Sequence, residues 1–126
     1  VGTLSTVISQ IKTVKKGESV GYSRNQYALE DTLIGVIPIG YADGFSRRLS
    51  KGVGHVWVNG KLAPTMGNVC MDMTMINLNG ITAKEGDEVE IFGRNRPIQD
   101  LANELETITY EIMTTVSHRV VRVYVE

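Results

Sequence analysis

The sequence predicts a mainly β protein, a small closed or partly open β-barrel with one or two short helices near the C-terminus. Three observations predict it. Short runs rich in valine, isoleucine and threonine succeed one another as far as Gly93, broken by glycine-bearing turns. Asn59-Gly60 stands between two apolar runs, the strongest short-range hairpin signal in the chain. Beyond Arg96 the hydrophobic period changes from that of a strand to that of a helix.

In "LSTVISQIKTV" the apolar positions are Leu4, Val7, Ile8, Ile11 and Val14, a spacing that suits one face of a helix as well as a strand. Its valine, isoleucine and threonine content favours a strand, and "KKGE" then supplies a turn before "SVGY". "TLIGVIPIGYA" reads as a buried strand, with Pro38 marking an edge or a bulge. "GHVWVNGKLAP" is the hairpin, "VCMDMTMINL" alternates, and "GDEVEIFG" closes the β series. In "RPIQDLANELE", Ile98, Leu101, Ala102 and Leu105 fall at i, i+3, i+4 and i+7, with Pro97 tolerable in a first turn. "TITYEIMTTV" reads as a second short helix capped by Thr107 or Thr109, with Ile108, Ile112 and Met113 turned inward. "SHRVVRVYVE" returns to a strand.

A chain of 126 residues is the size of one domain with a single core. Its 42% hydrophobic content and formal charge of -1 describe an ordinary globular surface, which argues against nucleic acid as a partner. No apolar run is long enough to span a bilayer, and no membrane association is expected. One cysteine excludes an internal disulfide and suits a reducing compartment, so the cytoplasm is the expected location. The N-terminus reads as ordered structure from Val1, with no initiator methionine and no signal-peptide pattern. The chain is therefore expected to be a piece of a longer protein.

The search for chemistry begins with exclusions. The two histidines, His55 and His118, and the lone Cys70 have no metal-ligand spacing. Phosphate-cradling and nucleophile-elbow glycine motifs are absent from the sequence. What remains is Tyr22, Tyr41, Tyr110, the "CMD" of Cys70, Met71 and Asp72, and the arginines of "FSRR".

Those residues lie in segments that resemble a known family. "VGY" at Val20 to Tyr22, "IPIGYADGFSRR", "GNVCMDMTMI", "GDEVEIFG" and "ETITYEIMTTVSHRVVR" look like the C-terminal domain of alanine racemase, in family order over nearly the whole chain. The resemblance implies a fold-type III enzyme dependent on pyridoxal 5'-phosphate. In that family an N-terminal (β/α)8 TIM barrel anchors the cofactor on a lysine, and the C-terminal domain is predominantly β. It implies that residues 1–126 are that C-terminal β domain, with the barrel outside the chain. None of Lys12, Lys15, Lys16, Lys51, Lys61 or Lys84 then corresponds to the cofactor lysine. The implied reaction interconverts L- and D-alanine and supplies D-alanine for peptidoglycan. The implied partners are the barrel of the same protein, the barrel of a homodimer partner, and a small amino acid.

Residue by residue, Tyr22 matches the catalytic tyrosine, the base for one face of the substrate, while the barrel lysine serves the other face. Racemisation needs both, because a planar α-carbon must be protonated from either side. An ordinary tyrosine has a pKa near 10, so only about one in a thousand is ionised at pH 7, and each unit of depression takes roughly 1.4 kcal/mol. The activating neighbours are implied to come from the barrel. Without the resemblance, a tyrosine beside Gly21 reads as a half-buried packing or interface residue.

Tyr41 corresponds to the tyrosine lining the substrate entrance, and Arg47 to an arginine further out in the same passage; the plain alternative is a strand-end tyrosine and a solvated arginine. Met71 aligns with the residue whose backbone N–H binds the substrate carboxylate, flanked by Cys70 and Asp72. Alternation alone puts Met71, Met73 and Met75 on one face and Cys70, Asp72 and Thr74 on the other, a methionine stripe of the kind that packs a core. Cys70 by itself reads as a small buried residue. Tyr110 matches the tyrosine that hydrogen-bonds the cofactor phosphate, against the alternative of packing on the barrel. Tyr27 reads as packing and His55 as a surface turn residue, while His118 and Arg119 have no assigned role.

One departure from the family pattern is Asn68, which stands where many relatives have an arginine. It bears on substrate preference. Two further readings therefore stand beside alanine racemase: a racemase for serine or another amino acid, and a non-catalytic β-barrel binding or assembly module.

Overall fold

The computed structural model describes residues 3–20 and 26–106. Seven strands make one antiparallel sheet: β1 Leu4–Val7, β2 Gln10–Val14, β3 Thr32–Ile37, β4 His55–Val58, β5 Lys61–Met66, β6 Thr74–Asn77 and β7 Glu88–Phe92. Their order across the sheet is β1-β7-β4-β5-β6-β3-β2. The two outermost strands are thus consecutive in the chain, separated only by Ile8 and Ser9. Ile8 donates its N–H to the Asp87 carbonyl (3.0 Å) on one side, and Ser9 donates to the Val36 carbonyl (2.8 Å) on the other. One extended segment therefore pairs with β7 through its first half and with β3 through its second. The sheet curls back on itself as a partly open barrel, which leaves no long free edge among the described strands.

β5 makes the corresponding transfer on the opposite side. Its residues Lys61 to Pro64 face β4, and Thr65 and Met66 face β6. The β4–β5 turn is the expected hairpin: Asn59 and Gly60 both have positive φ (46° and 89°), the mirror-image turn that fits the strand twist. The "LSTVISQIKTV" segment is extended as expected, with a β-bulge between Leu4 and Ser5. Pro38 lies outside β3, which ends at Ile37. Proline has no N–H to give the ladder, so the strand stops before it rather than bulging around it.

Two clusters form the interior. The larger gathers Ile37, Leu49, Val56, Val58, Ile76 and Ile91 with other apolar side chains. The smaller holds Val14, Val20, Ala28, Ile34, Val36, Met66 and Met75. β3 contributes to both, which explains why its sequence is a continuous apolar run instead of an alternating one. Burying each of these large aliphatic side chains contributes roughly 1.5–3 kcal/mol.

The helix α1, Ile98–Leu105, covers the larger cluster with Leu101, Ala102 and Leu105. Pro97 sits one position earlier than the sequence suggests, immediately before the helix. At its other end Glu106 adopts a left-handed conformation, and Arg48 donates from Nη2 to the Leu105 carbonyl at 2.7 Å. That guanidinium satisfies an orphan carbonyl and complements the helix dipole. The expected second helix and final strand lie outside the described residues. No helix among the described residues is long and apolar enough to cross a membrane.

Candidate active-site face

Two short 3-10 turns follow β3, one over Tyr41–Asp43 and one over Arg47–Leu49. The first is built by its flanking glycine and its own aspartate. Gly40 donates its N–H to Asp43 Oδ2 (3.0 Å), and Asp43 donates its N–H to the Gly40 carbonyl (3.0 Å). Gly44 ends the turn at φ 101°, a left-handed geometry that suits glycine.

This turn meets the segment containing Met71. Tyr41 donates its N–H to the Cys70 carbonyl (2.9 Å) and Ala42 donates to the Met71 carbonyl (3.0 Å). The approach is so close that a Cβ on Gly40 would lie 2.1 Å from the Cys70 oxygen. Only glycine fits there. Residues 70 to 73 form a tight turn of their own, with the Cys70 N–H donated to the Met73 carbonyl at 3.0 Å.

Met71 and Asp72 occupy the exposed tip of that turn, Cys70 is half-buried, and its thiol faces the Asn68 carbonyl at 3.6 Å. Tyr41 is exposed as well, and the Arg47 guanidinium lies over its ring, 5.7 Å from the centroid. This is a cation–π pair at a surface site, and it sets the guanidinium beside the phenol.

The methionine stripe is corrected by this geometry. β6 begins only at Thr74; Met75 is buried and the half-buried Met73 packs against the same cluster, but Met71 is exposed. Strand periodicity fails because the backbone is turning there. Thr74, assigned by alternation to the opposite face from Met75, is also buried, and its hydroxyl donates to the Ile39 carbonyl at 2.6 Å.

Tyr22 and Tyr110 lie outside the described residues, as do His118 and Arg119. The stem of the segment containing Tyr22 is described: Val20 donates its N–H to the Gln26 carbonyl (2.8 Å), and Ser19 pairs with Tyr27. Gln26 also reaches across the chain, its Oε1 accepting the N–H of Gly67. Gly67 in turn gives its carbonyl to the Lys51 N–H (2.8 Å), and Ser50 Oγ accepts the Val69 N–H (2.8 Å). Asp43, Gln26, Gly67 and Ser50 were not singled out from sequence. For Asp43 the signal was present, a glycine on either side in "GYADG"; for Gln26 and Ser50 the partners are too distant in sequence to leave one.

His55 is no turn residue. It lies in β4, with Nδ1 2.6 Å from Glu104 Oε2 on α1, and Glu104 Oε1 lies 2.5 Å from Arg96 Nη2. Arg96 is buried, and its Nη2 makes this ion pair without the alignment of a hydrogen bond. The cluster fastens α1 to the barrel, and it leaves Cys70 without a histidine to activate it among the described residues. Elsewhere, the Asn59 amide, then the Lys84 N–H and ammonium, hold the Asp87 carboxyl below the usual carboxylate range against an opposing effect of burial.

A lysine that condenses with an aldehyde must be desolvated enough to shed its proton. Lys12, Lys15, Lys16, Lys51, Lys61 and Lys84 are all exposed, and three of them are engaged with Asp31, Gly80 or Asp87. No lysine among the described residues is desolvated in this way.

The chain is similar to known proteins over nearly its whole length. The family described as alanine racemase, C-terminal domain, matches residues 1–124. An alanine racemase of Helicobacter acinonychis is 50% identical over 129 residues, covering 99% of this chain and 34% of that protein. An alanine racemase of Aeromonas hydrophila is 42% identical, covering 99% of this chain and 35% of that protein. Among solved structures, the Bartonella henselae alanine racemase with covalently bound pyridoxal phosphate superposes with a TM-score of 0.91 at 30% identity, over 98% of this chain and 34% of that one. The biosynthetic alanine racemase of Pseudomonas aeruginosa gives 0.92 at 34% identity, over 98% of this chain and 35% of that one. The chain spans about a third of the length of these relatives.

Proposed function

The chain belongs to the alanine racemase C-terminal domain family, and on that premise we propose that residues 1–126 are the β domain of a cytoplasmic racemase that interconverts L- and D-alanine and supplies D-alanine for peptidoglycan. The N-terminal TIM barrel of the same protein, and that of a homodimer partner, complete the site. The observation that carries this reading is the apposition of two separate sequence motifs, in which Tyr41 and Ala42 donate to the carbonyls of Cys70 and Met71.

Tyr22 is the base on one face of the substrate: its phenol oxygen removes the α-proton of L-alanine and returns a proton to form L-alanine from D-alanine. A lysine of the barrel acts on the opposite face. The Met71 N–H binds the substrate carboxylate, with Cys70 and Asp72 flanking it. Tyr41 and Arg47 line the entrance, where the paired guanidinium attracts a carboxylate and the ring narrows the passage. Tyr110 hydrogen-bonds the cofactor phosphate. Bound pyridoxal phosphate supplies the electron sink that makes the α-proton acidic. Asn68 is the feature that favours a second reading, a racemase acting on serine.

Racemisation assays with alanine and serine test the proposal. The full-length protein should racemise alanine faster than serine, and the 126-residue chain alone should racemise neither. Measurable racemisation by the isolated chain, or none by the full-length protein, would overturn it.

A further inference from the structure

Resting on the proposed role of Met71, we infer that Asp43 is a positioning residue that sets the direction of the Met71 N–H. The Cys70 carbonyl and the Met71 N–H belong to one planar trans peptide and point in opposite directions. The Tyr41 N–H fixes the carbonyl end of that peptide at 2.9 Å, and the Ala42 N–H fixes the carbonyl of the following peptide at 3.0 Å. Two successive peptide planes are thereby held from the same side. The Met71 N–H is left pointing away from the Tyr41 turn, on the tip where the side chains of Met71 and Asp72 are exposed. Accepting a hydrogen bond at the carbonyl also polarises the peptide and strengthens its N–H as a donor.

The two donors of Tyr41 and Ala42 are aimed by the 3-10 turn, and the turn is fastened by Asp43. Asp43 is 7% exposed, unusual for aspartate, and its carboxylate accepts the Gly40 N–H. Gly40 lets this turn approach, since a Cβ would lie 2.6 Å from the Met71 oxygen. Asp43 thus preorganises the Met71 contact through the turn that it fastens.

The test uses the full-length holoenzyme, with propionate as a probe that keeps the substrate carboxylate and lacks the amine. In the parent, propionate should slow amide exchange at Met71, while Tyr41 and Ala42 should be protected before it is added. Asp43→Ala should weaken propionate inhibition and raise KM for alanine together by about ten-fold, the size of one lost hydrogen bond to a charged group, with a smaller change in kcat. Exchange at Tyr41 and Ala42 should quicken. Asp43→Asn retains a side-chain oxygen acceptor and should stay within about three-fold of the parent. Unchanged propionate inhibition in Asp43→Ala despite faster exchange would overturn the inference. So would unprotected Tyr41 and Ala42 amides in the ligand-free parent, a result that stands even if the alanine variant does not fold. Competitive propionate binding that leaves the parent's Met71 amide unprotected would overturn the proposed role of Met71, and this inference with it.

Discussion

The Gln26 side-chain oxygen accepts the backbone N–H of Gly67, linking residues 41 apart in sequence. Gln26 forms the stem of the segment that contains Tyr22, and Gly67 opens the loop that leads to Met71. One hydrogen bond therefore joins the supports of the proposed base and the proposed carboxylate donor.

Gln26→Ala should lower stability by about 1–2 kcal/mol, because it leaves a buried backbone N–H without its acceptor. In the full-length enzyme the same change should reduce solvent exchange of the L-alanine α-proton more than that of D-alanine. Equal losses for the two enantiomers would make Gln26 a stabilising residue only.

Gly67 is the second half of that relationship. Its φ is +64°, and an added Cβ would lie 3.2 Å from both Cγ1 and the carbonyl oxygen of Val20. Gly67→Ala should cost about 1–3 kcal/mol through backbone strain and crowding, read as a lower unfolding midpoint. An unshifted midpoint would show that the loop relaxes at no cost.

Asp87 gives a pH dependence whose sign follows from its lowered folded-state pKa. Its contribution to stability is fully present above the ordinary value of 3.8 and is lost as pH falls through the lowered one. Asn59 is the main cause, since its amide bonds the carboxylate at 2.9 Å and ties the β4–β5 turn to the start of β7. Asp87→Asn should therefore flatten the acid side of the stability profile, measured as urea midpoints from neutral pH down to about pH 3. A profile as steep as the parent's would assign the acid sensitivity to other carboxylates.

Glu104 on α1 binds His55 on β4 and Arg96 in the loop ahead of the helix. Glu104→Gln should cost about 3 kcal/mol, because among the described residues it leaves the buried Arg96 guanidinium with only the exposed Asp100 at 3.6 Å. Adding Arg96→Met should recover part of the loss, since the stranded charge goes with it. A double variant less stable than the single one would contradict the ion-pair account.

The sequence was legible where structure is decided locally. The hairpin at Asn59-Gly60 and the helix beginning at Ile98 followed from a turn preference and a period, both properties of neighbouring residues. The extended character of residues 4 to 14 was legible too, but not that the segment forms both margins of the sheet, because the pairing with β7 and β3 is made over long sequence separations. Alternation misassigned Met71 for the same reason: the turn at 70 to 73 is held by Tyr41 and Ala42. His55 looked like a surface residue because its partner Glu104 lies 49 positions away. Of the proposed site, Tyr41 and Met71 were visible as residues, and their hydrogen-bonded apposition was not.

The central claim is that Tyr22 is the base for one face of the substrate, and exchange of the α-proton with deuterated solvent tests it most directly. Tyr22→Phe in the full-length holoenzyme removes the hydroxyl and keeps the ring. Exchange into L-alanine, whose α-proton faces the tyrosine in the proposed arrangement, should fall by about 10²- to 10⁴-fold, the usual contribution of a general base. Exchange into D-alanine should fall far less, and racemisation should be lost in both directions, since each requires both bases. Exchange into L-alanine within a few-fold of the parent's would contradict the account.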